Sequence, residues 1–77
     1  MKATTTKEIR KAMRSMNTGD TIVIDGWGQI FKGGHNYAIG PLPEKDNTDV
    51  YSDYDAWTYG WKESWILDNI KKELNIA

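Results

Sequence analysis

The sequence predicts an α+β domain of order α-β-β-β-α, a three-stranded antiparallel sheet packed on two helices. Three observations predict it. Ile9, Ala12, Met13 and Met16 recur with the period of one helix face near the start of the chain. Short β-rich runs follow, separated by glycine-bearing turns. Ile66, Leu67, Ile70 and Leu74 then form a second helical stripe near the end.

The first helix is expected over about residues 5–16. Thr5 with Glu8 three positions on is a capping-box pattern, in which each side chain satisfies a backbone N–H left open at the helix start. Lys7, Arg10, Lys11 and Arg14 lie off the apolar stripe, and Asn17-Thr18-Gly19 stops the helix. The sheet is expected over about residues 20–40. Thr21-Ile22-Val23-Ile24-Asp25 is its first strand, Trp27 to Lys32 its second, and Tyr37 to Gly40 its third. Asp25-Gly26 and Gly33-Gly34-His35-Asn36 are the turns between them. Pro41 and Pro43, which lack a backbone donor, end the sheet and open a polar loop over 41–52. The leading core candidates are Ile9, Met13, Met16, Ile22, Ile24, Ile30, Ala38, Ile66, Ile70 and Leu74.

A helical segment is expected over about 53–75, with Ser52 or Asp53 as its cap. Its pattern is unusual. On one continuous helix Tyr54, Trp57, Trp61 and Trp65 would fall within about 80° of one another. Tyr59, Ile66, Leu67, Ile70 and Leu74 would fall opposite. Three readings stay open. The chain breaks near Gly60, a costly residue in a helix interior. One helix is buried on both sides. Or the aromatic face is exposed and functional.

The 77 residues are expected to form one domain with a thin core. No cysteine is present, which excludes disulfides and thiolate metal sites. Four Trp, four Tyr and one Phe supply the apolar bulk instead, and homo-oligomerisation is the other way to add it. No apolar run approaches membrane-spanning length, so a soluble, cytoplasmic protein with no membrane partner is expected. The net charge of −1 hides a polarity: residues 1–16 carry a net +4 and residues 17–55 a net −5. Such a surface orients a charged partner, although solvated faces carry charge as well.

No motif names a chemistry. His35 is the single histidine, and no serine stands in a nucleophile-elbow context. No metal is expected: Asp46, Asp49, Asp53 and Asp55 lack the glycine and terminal glutamate of a calcium loop. No phosphate loop is present, and no cofactor is expected. The chain is therefore read as non-enzymatic, with a protein as its expected partner. The partner-binding candidates are Asp53, Tyr54, Trp57, Trp61 and Trp65, assisted by Asp46 and Asp49, because Trp and Tyr dominate protein-binding hot spots. The acidic stretch resembles a phosphate backbone in spacing, which suits a nucleic-acid-binding host protein as the partner.

In size, acidity, absence of cysteine and tryptophan content the chain resembles the small inhibitor proteins that bacteriophages make against host enzymes and defence systems. The resemblance is one of general style and covers no motif. It implies blockade of a host protein's basic site. The alternative is a small nucleic-acid-binding or regulatory module using Lys7, Arg10, Lys11 and Arg14 to track phosphates, with Trp27, Phe31 and Tyr37 free to stack on bases. The overall acidity counts against direct nucleic-acid binding.

Overall fold

The computed structural model describes residues 1–42 and 57–77. Helix α1 spans Thr6–Arg14, and helix α2 spans Glu63–Leu74. Strands β1 (Thr21–Ile24), β2 (Gly28–Lys32), β3 (Tyr37–Gly40) and β4 (Thr58–Trp61) form one antiparallel sheet in the order β1-β2-β3-β4. The α+β class holds. The sheet has four strands where the sequence predicts three.

Helix α1 begins at its expected cap residue, but only half of the box forms: the Glu8 carboxylate accepts from the Thr4 and Thr5 hydroxyls where the box would have it accept from the Thr5 backbone N–H. Thr5 is extended, and its hydroxyl accepts from the Glu8 backbone N–H at 3.4 Å. Ile9 and Met13, one turn apart on the same face, are fully buried. Helix α2 has no side-chain cap at its start; Lys62 is its N-cap residue, well past the expected Ser52 or Asp53. Glu63 in the first turn and Lys71 and Lys72 in the last complement the helix dipole. Asn75 ends it in the left-handed conformation that asparagine tolerates best after glycine.

Strand register fixes which side chains meet the helices. Ile30 stands opposite Ile22 on one side and Ile39 on the other, so all three share a face. Ile24 and Ile30 on this face pack with Ile9, Met13 and Met16 of the α1 region and with Ile66, Leu67 and Ile70 of α2. Both helices therefore cover the same side of the sheet. Of the expected core, Ile22 and Leu74 are only partly buried, and Leu67 joins as a fully committed member. Ala38 is buried as expected, but it stands opposite Phe31 on the other face of the sheet. Gln29 is buried on that face too, and its amide donates to the Pro41 carbonyl at 2.8 Å, which removes the cost of burying it.

Strand β4 replaces the expected helix between 58 and 61. Tyr37 pairs with Trp61 and Ile39 with Thr58, so two β3 steps match three β4 steps. The extra residue makes a bulge, and Gly60 within it has φ +81°, a conformation that disfavours any residue with a Cβ. Of the three readings of the C-terminal segment, one continuous helix does not hold across 58–61: Gly60 lies inside strand β4, and α2 begins at Glu63. No described helix is long and apolar enough to cross a membrane.

Candidate functional site, an aromatic seam beside the second helix

The bulge has a direct consequence for side chains. In a regular strand, residues three apart point to opposite faces. With one residue inserted, Thr58 and Trp61 both stand beside helix-facing partners, Ile39 and Tyr37. The Trp61 indole N–H donates back to the Thr58 hydroxyl at 2.8 Å. Trp61 thus fills the seam between β4 and α2, while Tyr59 is thrown outward with 63% of its surface exposed.

On α2, Trp65 follows Trp61 of β4 by four residues and is 52% exposed. The ammonium of Lys62 sits 5.1 Å above its ring centre, an attractive cation–π placement. Tyr59, Gly60, Trp61 and Trp65 line a shallow concavity of about 280 Å³. On the other side of Trp61 the seam continues as a groove of about 380 Å³, lined by Trp27, Ile39, Gly40, Pro41, Thr58, Trp61, Asn69 and Glu73. The Trp27 indole N–H donates to Asn69 Oδ1 at 3.0 Å, which ties the β1–β2 turn to α2. The result is a strip of four aromatic rings along one flank of α2.

Trp57 is not part of this strip. A Cβ placed on Gly40 would meet the Trp57 ring at 2.4 Å, so the indole lies flat against a glycine that leaves it room. Gly40 stands opposite Gln29 on the face away from the helices, so Trp57 covers that face. Trp57, Trp61 and Trp65 consequently do not share one helix face, and the aromatic stripe expected on a continuous helix is corrected to a strand-and-helix seam. Asp46, Asp49, Asp53 and Tyr54 lie outside the described residues, as does most of the expected 41–52 loop.

The basic residues of α1 are placed differently from one another. Arg10 and Arg14 both reach Glu63 at the start of α2, at 3.2 and 3.3 Å. Lys7 and Lys11 are exposed. Trp27 and Tyr37 pack against the helix-side core, whereas Phe31 faces the opposite side, so these three do not form one stacking platform. Burial pushes the Tyr37 hydroxyl above its ordinary pKa; the Glu63 carboxylate adds to this and Arg14 opposes it. His35 is exposed in the β2–β3 turn. Among the described residues no three His, Asp or Glu side chains come together as a metal site would need.

The seam contains residues that the sequence did not single out. Asn69 and Glu73 belong to no motif in the sequence that would mark them. Tyr59 had one usable signal: a glycine directly after it within a strand marks a bulge, which re-aims the neighbouring side chain. That signal depends on reading 58–61 as a strand. No family model matches the chain, and no curated protein or solved structure matches it either. The site therefore stands on its own geometry.

Proposed function

We propose that the chain is a non-enzymatic protein-recognition domain whose contact surface is the aromatic seam. One observation carries the reading: Tyr59 and Trp65 remain 63% and 52% exposed beside a concavity whose wall is Trp61. A small domain short of core has every reason to bury such rings. Exposed aromatics at a rigid, concave place are the residues that anchor protein interfaces. Strand β4 and helix α2 hold them in fixed positions, so little ordering is needed on binding.

The basic-helix alternative has less support. Two of its four cations, Arg10 and Arg14, are already engaged by Glu63.

The test is capture from a lysate of the cells that make the protein, comparing the full chain with a Tyr59→Ala, Trp65→Ala double variant. Both side chains are exposed, so each substitution should change stability by no more than about 0.5 kcal/mol. The expected result is a protein retained by the unaltered chain and lost with the variant, since each anchor is worth about 2 kcal/mol or more. Equal retention by a folded variant would overturn the reading, and so would the same loss with Lys7→Ala, Lys11→Ala in place of the aromatic pair.

A further inference from the structure

We infer that the groove between Trp27, Trp61 and the last turns of α2 receives a cationic side chain, a lysine or arginine of the partner; this rests on the recognition reading above and names the chemistry of what is recognised. The groove combines two indoles with one carboxylate. Both indole N–H groups are already used internally, Trp27 by Asn69 and Trp61 by Thr58. Neither N–H is left for a ligand, and a cation seated over either ring face would be attracted by its negative π-cloud. Glu73, four residues and hence about one turn after Asn69, adds a formal negative charge at the same wall. It is exposed, and among the described residues it makes no ion pair.

The charge arrangement along the seam points the same way. Lys62 lies over Trp65 at one end, and Glu73 lines the other. Among the described residues no cationic side chain lines the Trp27–Trp61 groove. The protein thus places an ammonium over Trp65, whereas among the described residues Trp27 and Trp61, next to a carboxylate, have none. The volume of about 380 Å³ is ample for the end of a lysine or arginine side chain. An aliphatic stem would lie against Ile39 and the rings while the charged head meets Glu73.

The experiment needs no partner. The full chain, labelled with nitrogen-15, is titrated at low salt with Nα-acetyl-lysine amide, Nα-acetyl-arginine amide and the uncharged Nα-acetyl-norleucine amide, following the indole N–H signals of Trp27 and Trp61 by NMR. The two cationic probes should move those signals about fivefold more steeply than norleucine does. Glu73→Gln, a change at an exposed side chain, should bring the cations down to the norleucine level with the rest of the spectrum unchanged. Equal responses to all three probes, or a cation preference that survives Glu73→Gln, would overturn the inference. Either outcome is independent of the capture experiment with Tyr59 and Trp65, so the two readings fail separately.

Discussion

The two flanks of helix α2 are built for different ends. Its α1 flank is closed. Leu67 is 3% exposed, packs with the helix-side aliphatic core, and Glu63 above it bridges to Arg10 and Arg14. Its β4 flank is open, with Trp65, Asn69 and Glu73 along grooves shared with Trp61. Aliphatic side chains interlock without directional demands and leave little surface over. Indoles and tyrosines leave a polar end and part of a ring outside even when well packed. The same helix therefore serves the core on one side and leaves ring surface open on the other.

That division can be broken experimentally. The largest effect is expected from Leu67→Ala on the closed flank. It removes buried volume from a domain with little to spare and should cost about 2–5 kcal/mol, read as a shifted midpoint in urea unfolding. A cost near zero would mean that α2 is not anchored through this flank. Gly40→Ala comes next. The added methyl group meets the Trp57 ring, so the indole must move, at about 1–3 kcal/mol with a change in tryptophan fluorescence. An unchanged spectrum and midpoint would contradict the packing of Trp57 on the far face.

The smallest effect belongs to Glu63→Gln. Its partners Arg10 and Arg14 are largely exposed, so the ion pairs are screened and their loss should cost under about 1 kcal/mol. The substitution has a second, sharper readout. Burial is the main reason the Tyr37 pKa is raised, and the Glu63 carboxylate is the next. Removing that charge should lower the Tyr37 titration midpoint, measured by ultraviolet absorbance. The sign for stability follows from the raised value. The contribution of protonated Tyr37 is complete below the unfolded-state pKa of about 10 and is lost as pH rises through the higher folded value. Glu63→Gln should therefore narrow that alkaline window, and an unchanged midpoint would separate Glu63 from Tyr37.

Helix α1 and strands β1 to β3 were legible because each depends on local signals that agree with one another. Thr5 caps a helix whose stripe is Ile9, Met13 and Met16; glycine-bearing turns separate strands of β-branched residues. The fourth strand was not legible, for a specific reason. A bulge makes Thr58 and Trp61 face the same way at a spacing of three, which is the spacing of a helix. Trp57, Trp61 and Trp65 extended the imitation at a spacing of four. Two of these three are exposed or part-exposed residues of the seam, and the third covers the opposite face of the sheet.

The sequence by itself determined the α+β class, the start of α1 and most of the aliphatic core, because backbone propensity and burial of branched side chains act over a few residues. Only the tertiary structure decided that a fourth strand precedes α2 and that Trp27, Trp61, Asn69 and Glu73 meet. Trp27 and Asn69 are 42 positions apart, and a hydrogen bond across that distance exists only once sheet and helix are packed. Local pattern reports which residues seek burial; which partners they find is set by the three-dimensional competition for one small interior.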